Sequence, residues 1–364
     1  MTNREEEILR LIKQNPMIAQ KELSDALGIT RSSAAVHITN LMKKGYIKGK
    51  GYILNEEPYV CIVGGANIDI QGFPNQKLIT KDSNPGVVKI SLGGVGRNIG
   101  ENLKKLGSEI KLITALGDDV YGSKILDEAR AIGMDMQHSL ILEGQSTSTY
   151  LCILDEEGDM HAAIAYMDIF EGMTAEFIQK KKHVIENSSI CVVDTNIPEE
   201  TIEHIVTSNR DTEFFLDTVS TSKAKKVKNV IGNFHTIKPN KIEAEILSGI
   251  EIRSNDDLKR CGEYFLNQGI KRVFITLGEE GVYYNDGIDE NIVKTPKIKV
   301  VNATGAGDAF VAGLVYGKTK DFTIDYSVRF AMSASILALS HSNTINPNMS
   351  HENVIKKMEE LKLC

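Results

Sequence analysis

The sequence predicts an α/β protein, with a mostly parallel sheet covered by helices on both faces, one hairpin that could be part of a lid, and a separate winged helix-turn-helix domain at its N-terminus. Three observations lead to this prediction. Short apolar runs alternate with amphipathic helical segments from about residue 58 onward, which is typical of parallel strands covered by helices on both faces. One segment breaks this alternation and has the pattern of a hairpin. The first 55 residues differ from the remainder in charge and in pattern.

The charge distribution separates the two parts of the chain. The 364 residues carry a net charge of −7. Residues 1–55 hold nine Lys/Arg and five Asp/Glu, a net charge of +4, whereas the remainder holds 33 basic and 44 acidic residues, a net charge of −11. This balance predicts a small basic module attached to an acidic body, and argues against a chain that coats nucleic acid along its whole length.

The cysteines and the hydropathy pattern indicate a reducing compartment. The five cysteines are widely spaced and form no C-x-x-C motif, which argues against a disulfide framework or a zinc site. The sequence contains no run of 18 or more apolar residues, so no membrane span is expected. The first residues, MTNREEEILR, are charged and lack the apolar segment of a signal peptide. We therefore expect a cytoplasmic location.

Residues 1–55 have the pattern of a winged helix-turn-helix domain. Three helices are predicted, of which the second ends at Gly28 and the third runs from its N-cap Thr30 to Gly45. The positions expected to face inward are Ile8, Leu11, Ile12, Leu23, Ala26, Leu27, Ala34, Ile38, Leu41 and Met42. Two short strands are predicted around the turn at residues 49–51, and the acidic stretch NEEP is the expected linker.

The third helix would present polar side chains to a DNA major groove. The candidate DNA-binding residues are Arg31, Ser32, Ser33 and His37. Four lysines stand where they could meet a phosphate backbone: Lys43, Lys44, Lys48 and Lys50. The alternative is a module for protein contacts or dimerisation that has lost DNA binding.

The body of the chain predicts a parallel sheet with one irregular hairpin. Buried strands are expected in the apolar runs YVCIV, IKLITALG, SICVVDTN, EFFLDTV, HTIKPN and RVFITLG. Amphipathic helices are expected in GRNIGENLKKLG, GSKILDEARAIG, ETIEHIVTSN, SNDDLKRCGEYFLNQG and GDAFVAGLVYGKT. STSTYLCILDEEGDMHAAIAYM alternates like a hairpin, with a turn at residues 156–159. This hairpin would form part of a lid and could pair between subunits. Because helix-turn-helix domains also often act as dimers, we expect a homodimer.

Polar and small residues follow the predicted strands. In an open parallel sheet, ligands bind beyond the carboxyl ends of the strands. The candidates at these positions are Gly64, Gly65, Asn67, Asp69, Asp194, Asn196, Asp217, Lys238, Asn240, Thr276 and Gly278. Each group alone is typical of an ordinary turn. Their recurrence after successive strands predicts a binding site at that edge of the sheet.

The stretch TGAGDAF, residues 304–310, predicts an anion site at the start of a helix. The N–H groups of Gly305, Ala306, Gly307 and Asp308 would point into one concavity, where the helix dipole favours negative charge. Asp308 could serve only as a helix cap, or it could take a proton from a substrate hydroxyl. The chain lacks G-x-x-x-x-G-K-[ST], and its first strand-to-helix turn lacks G-x-G-x-x-G. Developing negative charge on a phosphoryl group could share these N–H groups while Asp308 takes a proton from a hydroxyl. The pattern therefore indicates phosphoryl transfer through positioning and electrostatics.

Three separated motifs resemble those of the PfkB, or ribokinase-like, family of carbohydrate and nucleoside kinases. NATGAGDAF is similar to the family's C-terminal signature and GGVGRN to its N-terminal glycine signature. KPNKIEAEILSG contains the family's N-x-x-E as Asn240 and Glu243. The motifs occur in the family's order over about residues 58–350. The resemblance implies a ribokinase-like domain over residues 58–364, with a doubly wound, mostly parallel α/β sheet and a small β lid. It also implies ATP as the phosphoryl donor and a requirement for Mg²⁺.

Other segments resemble the pseudouridine kinase branch of this family. They are GGANIDIQG, DSNPG, GGVGRNIGENLKKLG with its Arg97, STSTYL and TIKPN. Bacterial proteins similar to pseudouridine kinases also occur with an N-terminal helix-turn-helix, and residues 1–55 fit that subgroup.

The resemblance implies a role for individual residues. The residues implied to hold the ribose hydroxyls are Asn67, Asp69, Gly94 and Asn98. Asp308 would be the base for the 5′-hydroxyl, and the anion hole would be Gly305, Ala306 and Gly307. Thr276 and Gly278 would lie beside the ATP phosphates or ribose. Asn240 and Glu243 would organise Mg²⁺ and the phosphates through water, since Mg²⁺ keeps much of its hydration shell.

Two positions depart from the family pattern. Many members have an Asp, which helps to bind a monovalent cation, where this chain has Asn302, and this weakens the expectation of K⁺ activation. Ala165 and Tyr166 stand where pseudouridine kinases tend to have Asn-Asp. A different base or sugar preference follows if this segment touches the substrate.

The sequence thus leaves three functional hypotheses. The first is an ATP-dependent kinase that converts a nucleoside to its 5′-monophosphate, with pseudouridine as the expected nucleoside. The second is the same chemistry on another nucleoside or on a sugar such as ribose. The third is a DNA-binding transcriptional regulator whose kinase-like body senses a ligand. Asp308, Asn240 and Glu243 together favour an enzyme over a pure sensor.

Overall fold

The protein is described from a computed structural model, which covers residues 1–16, 18–47, 49, 58–209 and 211–363. The chain divides into two compact units, Met1–Pro58 and Tyr59–Cys364. Within the described ranges, no helix combines the length and the apolar character that a membrane crossing requires.

The described part of the first unit contains three helices, α1 Asn3–Gln14, α2 Gln20–Leu27 and α3 Arg31–Lys43. A capping box between Thr2 and Glu5 begins α1, and Gly28 ends α2 with a φ of 62°. The Thr30 hydroxyl accepts the Ser33 N–H and begins α3. Such caps satisfy N–H groups that have no partner inside the helix. The helices enclose a small core of Ile8, Ile12, Leu23, Ile38, Leu41 and Ile47.

Two residues of this unit that were predicted to face inward do not do so. Ala26 and Met42 are exposed, and 41% of the surface of Met42 is accessible. The buried stripe of α3 is Ala34, Ile38 and Leu41. This stripe is narrow, so the next residue, Met42, falls outside it. The predicted strand pair, residues 46–54, lies mostly outside the described residues, as do Lys48 and Lys50.

The second unit contains a large sheet, a lid sheet and a short two-stranded sheet. The strands are β1 Tyr59–Val63, β2 Asn67–Pro74, β3 Gly86–Gly93, β4 Glu109–Ile113, β5 Ala115–Gly117, β6 Leu140–Leu142, β7 Thr149–Leu154, β8 Met160–Tyr166, β9 Ile190–Asp194, β10 Phe214–Asp217, β11 Thr236–Ile237, β12 Arg272–Thr276, β13 Val282–Asn285 and β14 Glu290–Val293. The large sheet has the order β14-β13-β12-β11-β10-β9-β1-β4. Its strands from β12 to β4 are parallel, whereas β13 and β14 are antiparallel. The predicted mostly parallel sheet is confirmed.

Helices cover both faces of the large sheet. They are α4 Val95–Lys105, α5 Val120–Ala131, α6 Ala175–Gln179, α7 Lys182–Glu186, α8 Glu199–Ser208, α9 Thr221–Ala224, α10 Lys241–Ser248, α11 Asn255–Asn267, α12 Ala306–Thr319, α13 Ile324–Leu339 and α14 His351–Glu360. Alternate residues of β1 enter two different cores, with Val60 and Ile62 on one face and Cys61 and Val63 on the other. This alternation explains why β1 is apolar throughout.

Helix α12 carries the TGAGDAF motif and is fixed by close packing against α13. A Cβ on Gly313 would lie 2.5 Å from the Ala331 Cα, so the two helices approach at a distance that only glycine allows. The residues of α12 from Ala309 to Gly317 are buried. Close packing therefore fixes the part of α12 that follows its first turn.

The lid is a four-stranded sheet with the order β3-β2-β7-β8. The predicted hairpin is confirmed as the antiparallel pair β7 and β8. Strands β2 and β3 were not predicted, although apolar and polar residues alternate in the NIDIQ part of β2 and in the VKISL part of β3, a signal that could have identified them. Most of β3 and all of β8 are exposed, so these strands do not bury an ordinary core face.

Candidate active site

The carboxyl ends of β1, β9 and β10 lie together, as the topology rule predicts. Asp194 ends β9 and is fully buried. Its Oδ2 accepts the N–H groups of Gly65 and Gly96 at 2.8 Å each, and its Oδ1 accepts that of Asn196 at 2.8 Å. A Cβ on Gly64 would lie 2.3 Å from the same Oδ2, so only glycine fits at this position. Asp194 thus ties the turn after β1 to the start of α4.

The Asp308 carboxylate lies at the start of α12 and faces a residue of α4. Its Oδ2 accepts the Asn98 Nδ2–H at 2.8 Å, although the two residues are 210 positions apart in sequence. Burial raises the pKa of Asp308 to about 7, and the nearby Asp217 carboxylate acts in the same direction. The hydrogen bond from Asn98 and the charge of Lys238 act in the opposite direction. A carboxylate with a pKa near the ambient pH is suited to accept a proton and to release it again.

The loop before Asp308 adopts a conformation that requires glycine. Gly305 has a φ of 82°, and a Cβ at this position would lie 2.4 Å from the Thr344 carbonyl oxygen. This turn allows residues 305–307 to start α12 with their N–H groups not yet used by the helix. The predicted anion site therefore lies at the start of a helix, where backbone N–H groups and the helix dipole favour negative charge.

Lys238 brings a buried positive charge to this helix start. Its Nζ lies 3.1 Å from the Asp217 Oδ2, and both side chains are buried. A Cβ on Gly307 would lie 3.4 Å from the same Nζ, so the ammonium group faces the glycine loop. Burial favours the neutral amine, but the Asp217 and Glu243 carboxylates outweigh it and raise the pKa of Lys238. Sequence reasoning placed Lys238 at a strand end but gave it no role.

Asn240 and Glu243 form the capping box of α10. The Asn240 Oδ1 accepts the Glu243 N–H at 2.9 Å, and the Glu243 Oε2 accepts the Asn240 N–H at 2.8 Å. The same Oε2 accepts the Thr218 hydroxyl at 2.6 Å. Asn240 is therefore the N-cap of α10, and it also lines the cleft described next. Among the described residues, no group of three or more His, Cys, Asp or Glu side chains could hold a metal ion by itself.

A cleft of ≈ 810 Å³ opens beside the glycine loop. Its polar and small lining residues include Lys238, Asn240, Thr276, Gly278, Ala306 and Gly307. Its apolar lining residues include Ile298, Val300, Phe310, Met332, Ile336 and Leu339. The cleft has the size and the mixed lining of a small-molecule site. The residues Asn240, Thr276, Gly278, Ala306 and Gly307, which were predicted to contact the nucleotide, line it, whereas Gly305 and Glu243 do not.

The predicted sugar-binding residues lie on the other side of Asp308. The Asn67 Nδ2–H donates to the Asp69 Oδ1 at 2.6 Å, and burial raises the pKa of Asp69. A Cβ on Gly93 would lie 2.3 Å from the Asp69 Oδ2, and Gly94 follows with a φ of 95°. These residues sit where the lid meets the start of α4.

Arg97 connects this group with Asn98. It is buried, forms an ion pair with Glu101 and donates from Nη1 to the Asn98 Oδ1 at 3.2 Å. Because the amide oxygen of Asn98 is occupied, its Nδ2–H group is directed to Asp308. Hydrogen bonds thus join Arg97, Asn98 and the predicted base Asp308, and the charge of Arg97 also favours the ionised form of Asp69.

The fold and this site define a phosphotransferase that acts on an alcohol group. The chain belongs to the pfkB family of carbohydrate kinases, whose model matches residues 57–351. A winged helix-turn-helix DNA-binding model matches residues 1–48. The predicted family and fold are confirmed.

The chain is also similar to individual kinases of known sequence or structure. The chain is 37% identical to the "uncharacterized sugar kinase YeiI" of Escherichia coli, over 98% of each protein. It is 40% identical to the pseudouridine kinase of Escherichia coli, over 84% of this chain and 98% of that protein. A crystal structure of a putative sugar kinase from Clostridium perfringens is 44% identical and has a TM-score of 0.77, covering 84% of this chain and 97% of that chain. An Escherichia coli putative ribokinase II in complex with ATP and Mg²⁺ shares the fold, with 16% identity, a TM-score of 0.73, and coverage of 84% of this chain and 100% of that chain.

Proposed function

We propose that the protein transfers the γ-phosphoryl group of ATP to the 5′-hydroxyl of a nucleoside, and that pseudouridine is its substrate. The observation that carries this proposal is the position of Asp308. It hydrogen-bonds to Asn98 on the side of the sugar residues, and it begins the helix whose glycine loop faces the nucleotide-sized cleft. The similarity to a pseudouridine kinase supports the choice of nucleoside.

In this proposal the chain acts mainly by positioning. Asn67, Asp69, Gly94 and Asn98 hold the ribose hydroxyls, since amides and carboxylates together donate and accept several hydrogen bonds. Asp308 accepts the proton of the 5′-hydroxyl as that oxygen attacks. The N–H groups of residues 305–307 and the Lys238 ammonium group stabilise the charge that develops on the transferred phosphoryl oxygens.

In this proposal the cleft holds ATP, with the adenine against its apolar lining residues and the phosphates at the glycine loop. Thr276 and Gly278 would lie beside the phosphates or ribose. The described residues offer no complete protein cage for a metal, which suits a Mg²⁺ held largely by phosphates and water. Asn240 and Glu243 would orient that hydrated ion through water. When bound, ATP with Mg²⁺ supplies the phosphoryl group and neutralises part of its charge.

A substrate panel tests the proposal. The value of kcat/KM should be measured with ATP and Mg²⁺ for pseudouridine, uridine, inosine, ribose and fructose 6-phosphate. We expect pseudouridine to give the highest value. A higher value for another nucleoside or for ribose would replace pseudouridine by the second hypothesis, and the absence of turnover with every nucleoside would overturn the proposal.

Asn302 leads to a prediction about monovalent cations. Its Nδ2–H donates to the Ser342 carbonyl at 3.1 Å, and its Oδ1 accepts the Thr304 N–H at 3.0 Å. A neutral amide fixes this loop without the negative charge that would attract K⁺. We expect kcat to be the same in K⁺ and in a bulky organic cation, and Asn302→Asp to become dependent on K⁺. A wild-type enzyme that requires K⁺ would contradict this.

We further propose that the first unit binds DNA. Arg31 and Ser32 are exposed at the start of α3, and Ser33 is half-buried behind them. The His37 Nδ1 is buried without a hydrogen-bond partner in the structure, so this edge of the ring faces inward. The Lys44 Nζ lies 2.7 Å from the buried Glu5 Oε2, which ties it to α1 rather than to a phosphate. Arg31 is therefore the main candidate for a contact with DNA.

The DNA proposal predicts a salt-dependent complex. The full chain should bind its own upstream DNA, with an affinity that falls as salt rises because bound cations are released from the DNA. Arg31→Gln should weaken binding and reduce the slope of log K against log salt by about 1 if Arg31 contacts a phosphate. Arg10→Gln, an exposed position on α1, is the matched control. Affinity that ignores salt would favour a protein-contact module. DNA binding that responds to the nucleoside would support the regulator hypothesis.

A homodimer through the lid is also proposed. The outward face of the lid exposes Val88, Ile90, Leu151, Ile153 and Ile164, of which Ile164 is 66% accessible. Cross-strand pairing places Ile90, Ile70, Leu151 and Ile164 in one row. Large exposed apolar patches are typical of interaction sites. Ile164→Glu should lower the sedimentation coefficient to that of a monomer, whereas Ile288→Glu, at an isolated exposed position, should not. A monomeric wild-type protein would contradict the proposal.

The described cysteines, Cys61, Cys152, Cys191 and Cys261, are free thiols. This supports the proposal of a cytoplasmic location.

A further inference from the structure

We propose that Tyr150 on the lid is a specificity residue, and that its ring contacts the planar base of the nucleoside. The inference rests on the proposed function, because it names the part of the site that would distinguish a nucleoside from a free sugar.

The register of the lid places Tyr150 beside Asp69. Ser91, Asp69, Tyr150 and Ala165 are consecutive partners across β3, β2, β7 and β8. Side chains of directly paired residues point to the same face of a sheet. Tyr150 therefore projects from the same face of the lid as the carboxylate that is proposed to hold the sugar.

This face is the one turned toward the reacting groups. Asp69 lies against Gly93 at the start of α4, and α4 carries the Asn98 that hydrogen-bonds to Asp308. In the next row, on the opposite face, Ile90, Leu151 and Ile164 are exposed, whereas Ile70 packs against the core. Because successive residues of a strand alternate between faces, Tyr150 lies on the face of Asp69 and Leu151 lies on the opposite face.

The phenol of Tyr150 has a weak partner in the structure. Its hydroxyl donates to the Met160 Sδ at 3.4 Å, and a thioether is a poor acceptor. Burial raises the pKa of Tyr150, and the Cys152 thiol and the Asp69 carboxylate act in the same direction, so the hydroxyl remains a donor at neutral pH. A carbonyl oxygen on the ligand would be a better acceptor than the sulfur atom.

The neighbours of Tyr150 on β8 leave space for a flat group. Its direct partner is Ala165, and Ala163 is the next residue on the same face. Two methyl side chains beside a half-buried aromatic ring form a shallow surface onto which a planar ring can stack. Pyrimidine bases carry carbonyl oxygens at their edge, so stacking and a hydrogen bond from the phenol can occur together. Free ribose offers neither contact.

The experiment compares a nucleoside with the same sugar ring lacking a base. The two ligands are pseudouridine and 1,4-anhydroribitol, and their affinities are measured by calorimetry with a non-hydrolysable ATP analogue present. The variants are Tyr150→Ala, Tyr150→Leu and Tyr150→Phe, with Tyr46→Ala as the control. Tyr46 is an exposed tyrosine of the first unit. Circular dichroism establishes which variants fold, and Tyr150→Leu, which keeps the apolar bulk, replaces Tyr150→Ala if the latter does not.

We expect Tyr150→Ala and Tyr150→Leu to weaken pseudouridine binding by about tenfold or more, as loss of a stacking partner does. Binding of the base-free ring should not change, and Tyr150→Phe should show an intermediate loss. Equal weakening of both ligands, or no weakening of pseudouridine, would overturn the inference. If the wild type phosphorylates no nucleoside, the proposed function itself fails. If it does so and Tyr150→Ala binds pseudouridine normally, only the role of Tyr150 fails.

Discussion

Asp308→Asn should lower kcat by roughly 10²–10⁴-fold, because the amide cannot accept the proton of the attacking hydroxyl. Asparagine has the shape of aspartate, so the hydrogen bond from Asn98 and the start of α12 should be retained, and only the proton transfer is lost. We therefore expect the affinity for ATP to remain near that of the wild type. Steady-state kinetics together with nucleotide binding measured by calorimetry separate the two effects.

The control for this variant is Asp321→Asn. Asp321 is exposed beyond the opposite end of α12 and has a φ of 54°, a conformation that asparagine tolerates well. The pH profile gives a second criterion. Since Asp308 must be ionised to act and its pKa is raised to about 7 by burial, kcat/KM of the wild type should rise with pH through this region and then level off. Wild-type kcat in Asp308→Asn would refute the assignment of the base.

Lys238→Met should lower kcat by roughly 10²–10³-fold, as the loss of one preorganised charge from an anion-binding site does. The ammonium group faces Gly307 at the glycine loop, and methionine keeps the length of the side chain without its charge. Because Lys238 opposes the rise in the pKa of Asp308, its removal should also shift the rise of kcat/KM to higher pH. A full pH profile of the variant measures both effects.

This variant also removes one partner of a buried ion pair. Leaving Asp217 without its cation should cost about 3–5 kcal/mol of unfolding free energy. Lys238→Met combined with Asp217→Asn should recover stability but not kcat, which distinguishes catalysis from folding. Lys318→Met is the matched control, since Lys318 pairs with Glu213 near the far end of α12. A folded Lys238→Met variant with wild-type kcat would contradict the role of Lys238.

Local motifs could be predicted from the sequence because their geometry depends on neighbouring residues. The stretch TGAGDAF specifies a glycine turn followed by a helix, and Gly305 does adopt the left-handed conformation. The apolar run of β1 likewise predicts a strand buried on both faces. In each case a few consecutive residues contain the information.

The partners across the sheet could not be predicted in the same way. Asp194 binds the N–H groups of Gly65 and Gly96, and Lys238 pairs with Asp217, only because of the order of the strands. The sequence contains all of these residues but not that order. For the lid, the pattern of β7 and β8 predicted a hairpin, whereas the position of Tyr150 beside Asp69 required the parallel pairing of β7 with β2.

If this chain makes a nucleoside 5′-monophosphate, the product formed from pseudouridine, ATP and Mg²⁺ should show it directly. Mass spectrometry and ³¹P–¹H NMR identify that product. We expect a single monophosphate with the phosphorus coupled to the two 5′ protons, and none when Asp308→Asn is used for the same short incubation. ATP consumption without any phosphorylated nucleoside, or a phosphate on another hydroxyl, would contradict it.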